Sequence, residues 1–335
     1  MNPREALASR WARVREARKD ILTARVGVQE LAGDLAACRA ELAACRADLT
    51  ACRHELAIAT HDLHALSGRL AWERGRMLDA LRAIRDDDSA AWQALWRLRD
   101  TEEYAAAFDE DEPLVSVVIP TWTNWRLLRE RALPSLLEQT YKRFECIVVG
   151  DAAPPEAADV VGSFGDDRLR FVNLPYRGPY PEHDVDAWRI AGTLPANTGV
   201  ALSGGRWLLH GSDDDVLRPT CIASLLALAR EQAAEVAYGK QAVQVHDEIV
   251  DVIGVFPPEH GHWGAQASLI HSGLRFIWAE PSDWLFEVPN DWSMAERMLR
   301  IGVRFAMLDE PVVDYYPSRG WTPPAQVGEG NPASR

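Results

Sequence analysis

The segment Trp207-Leu208-Leu209-His210-Gly211-Ser212-Asp213-Asp214-Asp215, followed four residues later by Pro219, ends a short apolar run in three adjacent carboxylates. Such a run reads as a buried strand that delivers acids to the carboxyl edge of a sheet, where open α/β folds bind ligands. Three carboxylates side by side repel one another and need a cation. With only oxygen ligands on offer, the hard divalent ions Mg²⁺ and Mn²⁺ suit them. The competing reading is an acidic turn capping a helix that starts near Thr220, because Asp favours such positions.

Outward from this segment, strands are expected near 115 to 120, 145 to 149, 169 to 173 and 206 to 210. They alternate with helical stretches near 124 to 138, 156 to 162 and 197 to 203. This alternation predicts an α/β fold, a mostly parallel sheet with helices on both faces.

Val115-Ser116-Val117-Val118-Ile119-Pro120-Thr121, the helical stretch ending Ser135-Leu136-Leu137-Glu138-Gln139-Thr140-Tyr141, and Phe144-Glu145-Cys146-Ile147-Val148-Val149-Gly150-Asp151 follow in order. Asn197-Thr198-Gly199, Gly205, the acidic triplet and Pro219 continue the pattern. Together, over roughly residues 113 to 317, these segments resemble the family 2 glycosyltransferases, which have the GT-A fold, a Rossmann-like arrangement. The resemblance implies a donor site for a nucleoside-diphosphate sugar at the strand ends. Pro120 and Thr121 would close the first strand there, Asp151 would accept a hydrogen bond from the nucleobase, and Asn197 would belong to the same site. Asp151 also reads as a plain turn residue before Pro154 and Pro155. Gly150 stands where the commoner pattern carries another acid, which leaves the nucleotide open.

Aligned on Pro219, the triplet places Asp213 toward the ribose, Asp214 on the metal and Asp215 in support of the ion or the sugar. As a literal Asp-x-Asp, the pattern also allows Asp215 as the direct ligand. Mn²⁺ or Mg²⁺ held there would neutralise charge on the departing nucleoside diphosphate. Asn290-Asp291-Trp292-Ser293-Met294-Ala295-Glu296 resembles the family's acidic step before a helix, which makes Asp291 the candidate catalytic base; its alternative is a helix cap. Ala196 occupies the place where an Arg often precedes the Asn, and Arg189 is the preferred substitute for gripping the diphosphate, with Arg177 beside it and a surface position as the alternative.

The loop from 174 to 196 is long enough to fold over a donor. Phe256-Pro257-Pro258-Glu259-His260-Gly261-His262-Trp263-Gly264 carries two His but no third ligand for zinc, so it reads as structural or as a loop presenting Trp263 to a sugar. Thirteen Trp residues are generous for core packing alone, and Trp263, Trp278 and Trp284 are acceptor-site candidates.

Residues 1 to 86 have another character. Leu7, Val14, Ile21, Val28, Leu35, Leu42, Leu49, Leu56, Leu63, Leu70, Met77 and Ile84 recur every seventh residue, with mostly small or apolar residues three places on, among them Cys38, Cys45 and Cys52. That is a coiled-coil seam about 120 Å long. Acidic Glu41, Asp48 and Glu55 at the g positions and basic Arg39, Arg46 and Arg53 at the e positions favour parallel strands, hence a parallel homo-oligomer and most simply a dimer. The alternative is a helical hairpin broken at Gly33, Gly68 or Gly75. The heptad-spaced cysteines are too far apart for one zinc site and read as small core residues in a reducing compartment.

The expected organisation is therefore a stalk at 1–86, a helical and acidic linker at 87–112, in which a helix over 90–108 leads to an exposed acidic joint at 109–113, a transferase domain at 113–320 and a flexible tail at 321–335. In 335 residues, 47% are hydrophobic and 26% charged, as in ordinary soluble domains, and the net charge of -14 disfavours nucleic acid as the partner. No apolar run reaches membrane-spanning length, and MNPREALASR is too polar for a signal peptide. The expected place is the cytoplasm, with peripheral contact at the inner face of a membrane left open.

The function expected from these features is an inverting, metal-dependent transfer of a sugar to an acceptor hydroxyl of a carbohydrate or glycoconjugate. The alternatives are a nucleotidyltransferase with a similar metal site, or a decayed transferase domain serving as a binding scaffold on a coiled coil.

Overall fold

Helix α1 (Pro3–Arg85) runs without interruption in the computed structural model, which describes residues 3–246 and 248–317. Gly33, Gly68 and Gly75 lie inside it. Each costs only about 1 kcal/mol against Ala in a helix, too little to break eleven heptads of good helix formers, so the alternative of a helical hairpin does not form. The chain divides into two units, Met1–Asp79 and Ala80–Arg335. The tail expected at 321–335 lies outside the described residues.

The stretch 87–112 holds two helices where a single one was expected over 90–108. Asp87 accepts a hydrogen bond from Ala90 N and caps α2 (Asp88–Arg99), and Thr101 caps α3 (Glu102–Asp109) by accepting one from Tyr104 N. Both helices belong to the second unit. Leu95, Tyr104 and Ala107 are buried, and the Arg99 guanidinium grips the buried Glu235 carboxylate through Nε at 2.6 Å and Nη2 at 2.9 Å. Tyr104 Oη donates to the same carboxylate at 2.8 Å. Asp109, Asp111 and Glu112 of the acidic run that follows are exposed, as its charge predicts.

The rest of the second unit is an α/β fold. Strand β1 (Val115–Thr121) leads through a short helix α4 (Trp125–Leu127) and a π turn (Leu128–Ala132) into α5 (Leu133–Leu137). Pro134 has no N–H to donate to Glu130, and the helix widens just before it. Then come β2 (Phe144–Gly150), α6 (Pro155–Ser163), β3 (Leu169–Asn173), α7 (Asp184–Arg189), α8 (Thr193–Leu202) and β4 (Trp207–His210). The second half adds β5 (Val216–Leu217), α9 (Cys221–Glu231), β6 (Val236–Val245), β7 (Glu248–Ile253), β8 (Ser268–His271), α10 (Asn290–Arg300) and β9 (Phe305–Tyr315).

These strands form one sheet in the order β3-β2-β1-β4-β8-β6-β9-β5, with β7 beside β6. The neighbours from β3 to β4 are parallel, as expected. Beyond β4 the sheet is mixed: β8 is antiparallel to β4 and β6, β9 is parallel to β6, and β5 is antiparallel to β9. The expectation of a mostly parallel sheet therefore holds for the first half only. No crossover helix separates β6, β7 and β8, so their direction follows from short connections rather than from a βαβ unit.

Alternation along the strands divides the core between two faces. Val115, Val117, Ile119, Trp207, Leu209 and Leu269 pack with α5, α6 and α9, whereas Val118, Leu208 and Ile270 pack with α2, α8 and α10. Helices thus cover both faces. Gly199 sets how closely α8 approaches the sheet: a Cβ there would overlap Val118 Cγ1 and lie 3.2 Å from Val149 Cγ2. Among the described residues, no helix is long and apolar enough to cross a membrane.

Candidate active site

The carboxyl ends of β1, β2 and β4 open onto a cleft of about 600 Å³, within the range usual for ligand sites. Parallel register brings Thr121 beside Gly150 and Val118 beside His210, so the residues that follow these positions converge by construction. Pro120, Thr121, Asp151, Arg189, Asp213, Asp214, Asp215 and Asp291 all line the cleft. Asn197 does not. Its Nδ2 donates to Ala279 O at 2.9 Å and its buried Oδ1 has no partner. α8 begins at Thr193, four residues earlier than expected, which turns Asn197 toward the 278–280 loop and away from the donor side.

The three triplet carboxylates diverge. Asp213 accepts from Thr121 Oγ1 at 2.8 Å and from Asn124 Nδ2 at 3.1 Å, so β1 and the turn after it fix its place. Asp215 is buried and accepts from Tyr316 N at 2.8 Å. Asp214 accepts from Ser212 Oγ, and its carbonyl accepts from Arg131 Nη1 at 3.3 Å. Burial pushes Asp213 up to about 6, with the Asp214 charge adding to the rise against the two hydrogen bonds. Burial, and then the Asp214 charge, push Asp215 well above the carboxylate range. The expected turn that merely caps a helix does not describe these residues: α9 takes no side-chain cap, and the acids point to the cleft.

Among the described residues, no three His, Cys, Asp or Glu side chains converge into a metal-holding cluster. The donor chemistry nevertheless fits a hard divalent ion held by one or two carboxylates with substrate phosphate and water completing its shell, the usual habit of Mg²⁺. A cation beside Asp214 would also relieve the mutual repulsion that raises Asp213 and Asp215.

Asp151 sits at the other end of the cleft, where the 174–192 loop takes it up. Gly178 N donates to Oδ1 at 3.0 Å, Tyr180 Oη donates to Oδ2, and Arg177 Nε lies 3.8 Å away. The Arg177 guanidinium stacks on Trp122, 3.4 Å from the ring centroid, with Tyr180 on its other flank. Arg189 is half engaged, because Asp186 pairs with it at 2.6 Å across one turn of α7.

Asp291 lies in the first turn of α10, which starts at Asn290, so the acid stands inside the helix rather than before it. Oδ1 accepts from Trp292 N at 2.7 Å and Oδ2 from Ala265 N at 3.4 Å. Part of the side chain faces the cleft, yet the surrounding atoms desolvate the carboxyl and raise its pKa against these bonds. His260 stacks on Trp292 5.7 Å away, which closes this end.

Several cleft residues carried no usable sequence signal. Asn124, Trp122, Tyr180 and Tyr316 are single residues in turns and loops, and only the tertiary arrangement shows which acids they meet. Trp263 reaches the cleft with a buried, unpartnered Nε1–H, and Trp278 lines a cavity of about 90 Å³ beside it. Trp284 lines neither.

Residues 116–180, which span β1 to the loop over Asp151, match the sequence profile of Glycosyl transferase family 2. Over this stretch the chain is similar to the family 2 glycosyltransferases. The glycosyltransferase GlyG of Streptococcus pneumoniae is 24% identical over 128 residues, 38% of this chain and 38% of that protein. The GalNAc(5)-diNAcBac-PP-undecaprenol beta-1,3-glucosyltransferase of Campylobacter jejuni is 30% identical over 128 residues, 37% of each chain. The chain thus spans under two fifths of the length of these curated relatives. Among solved structures, S. aureus TarS 1-349 in complex with UDP-GlcNAc is 16% identical with a TM-score of 0.48, covering 62% of this chain and 59% of that one.

Proposed function

We propose that this glycosyltransferase domain moves a sugar from a nucleoside-diphosphate sugar to a hydroxyl of a carbohydrate or glycoconjugate acceptor, with inversion at the anomeric carbon. One observation carries the proposal: the acids after β4 and Asp291 of α10 face a single cleft, Asp213 and Asp215 raised first by burial and then by the neighbouring Asp214 charge, and Asp291 by burial.

In this reading Asp151 and the Trp122–Arg177–Tyr180 stack hold the nucleobase end, and Asp213, fixed by Thr121 and Asn124, holds the ribose. Asp214, with Asp215 behind it, would hold Mn²⁺ or Mg²⁺, which when bound offsets the charge of the leaving diphosphate. Arg189 has only to exchange Asp186 for a phosphate to serve the same end. Asp291 takes the acceptor proton. Its raised pKa makes the ionised form a better base than an ordinary carboxylate at neutral pH. Trp263 and Trp292 offer flat apolar faces to the acceptor ring, and the Trp263 N–H has a hydrogen bond left to give.

The test is a thermal-shift panel of nucleoside diphosphates with and without Mn²⁺, followed by a donor-consumption assay with the sugar nucleotide of the best binder. A ligand that binds only the folded state at 100 times its Kd adds about 2.7 kcal/mol of stability. At least one diphosphate should raise the Tm with Mn²⁺ and much less without it. If none does, the cleft is not a nucleotide site.

A further inference from the structure

Along α1, every large a-position side chain from Val14 to Ile84 is exposed, between 52% for Leu42 and 83% for Ile84. A stripe of this length in water is unstable unless something covers it. A charge pattern runs beside it. Asp34, Glu41 and Asp48 stand at successive g positions, and Arg39, Arg46 and Arg53 stand five residues after each. In a parallel pair, g of one helix meets e of its partner five residues on, so these three acids meet these three bases. An antiparallel pair sets g against g and e against e, acid against acid and base against base. The complementarity therefore selects a second copy of the same helix, in the same direction and without stagger.

The residues between the a positions set the strand number and supply a chemical site. Ala17, Ala24, Cys38, Cys45, Cys52, Ala59 and Ala80 occupy d positions. Small side chains there let two helices approach closely, whereas the wider core of three or four helices would be left with voids at these layers. In two parallel, unstaggered helices each d residue faces its own counterpart. We propose that α1 pairs with α1 of a second chain as a parallel, in-register, two-stranded coiled coil, in which Cys38, Cys45 and Cys52 form three successive face-to-face thiol pairs, a site for reversible cross-chain disulfides. Two thiols of a layer lose two protons and two electrons to a small-molecule disulfide, which is reduced to two thiols as the cross-chain S–S bond forms.

The chain supplies its own control. Cys146 and Cys221 are fully buried in strand and helix, and burial pushes both thiols upward, Cys221 to about 12, so neither competes for oxidant. The proposal is independent of the transfer chemistry.

The experiment uses the full chain. Light scattering should give twice the chain mass under reducing conditions. Three variants, each keeping one of Cys38, Cys45 and Cys52 and carrying Ala at the other two, are then exposed to oxidised glutathione and run on a non-reducing gel. All three should give a covalent dimer that dithiothreitol reverses, and the chain with all three replaced by Ala should remain dimeric in scattering yet give no band. A monomer, or a mass of three or four chains, overturns the pairing. Cross-linking in only one of the three variants overturns the parallel register, because an antiparallel or staggered pair sets most d residues against an aliphatic a residue. A band in the chain lacking all three thiols overturns the site.

Discussion

Asp291→Asn separates two accounts of one carboxylate by the sign of one measurement and the size of another. As a purely structural residue of the first turn of α10, Asp291 accepts from Trp292 N at 2.7 Å and ties that turn to Ala265 N at 3.4 Å, while the cap position itself is Pro289. Losing a cap costs roughly 0.5–2 kcal/mol of stability. Asn keeps one acceptor oxygen, so the loss would fall at the low end, and turnover would change little. As a general base, Asp291 contributes about 10²- to 10⁴-fold to the rate, or about 2.7–5.5 kcal/mol of barrier at 1.36 kcal/mol per tenfold.

The pKa direction sharpens the contrast. Burial raises Asp291 above the ordinary carboxylate range, so the folded chain holds this proton more tightly than the unfolded chain. Stability from this group is then greatest at low pH and falls as pH rises from the unfolded pKa through the raised folded one. At neutral pH the ionised carboxylate is a net liability, and a neutral isostere removes it. Asp291→Asn should therefore leave the melting temperature unchanged or raised, preserve nucleotide affinity and slow turnover by at least about 10²-fold. The wild-type rate should also fall at a higher pH than an ordinary Asp would dictate as the medium is acidified. The assays are calorimetry, nucleotide titration and release of nucleoside diphosphate. A lower melting temperature together with near-normal turnover would refute the assignment and leave the base elsewhere.

Asp214→Asn should abolish the Mn²⁺-dependent part of nucleotide binding while the ligand-free protein melts no lower, because the change removes the charge that raises Asp213 and Asp215; calorimetric titration that finds wild-type affinity would contradict the metal assignment. Metal-dependent nucleotide binding should weaken as pH falls through about 6, where Asp213 takes up a proton, a trend readable by titration at several pH values. Gly199→Ala, which overlaps Val118, should lower unfolding free energy in urea by about 1–3 kcal/mol. Glu235→Gln should cost about 3 kcal/mol, the low end for a broken buried ion pair because Arg99 is partly exposed. Burial alone would raise Glu235, but Arg99, Arg304 N and Tyr104 outweigh it and the net shift is down. Its stability is present above the unfolded pKa and is lost as pH falls through the folded one, an acid-side loss that the variant should lack.

What could be read from the chain were the features coded within a few residues. Short, nearly continuous apolar runs marked β1, β2 and β4, and the parallel half of the sheet follows from strands separated by helices. The heptads of 1–86 marked α1 to within a residue or two at its end. Acids directly after a strand could be placed at the carboxyl edge without knowing any partner, which is why Asp151, Asp213, Asp214 and Asp215 reach one cleft. The exposure of the acidic run 109–112 was legible from its charge, whereas the burial of Leu95, Tyr104 and Ala107 in the helices before it was not.

The sequence by itself determined which faces are apolar, the order of the first four strands and the strand ends that carry acids, because periodicity and punctuation are local properties of a chain. Only the tertiary structure decided the mixed half, where β9 inserts between β6 and β5, and the partners of the site: Tyr180 on Asp151, Asn124 on Asp213, Tyr316 N on Asp215, and Asn197 turned toward Ala279. Periodicity records that a side chain is buried but not against what, and these pairings join residues from 29 to 101 positions apart whose meeting depends on every turn between them.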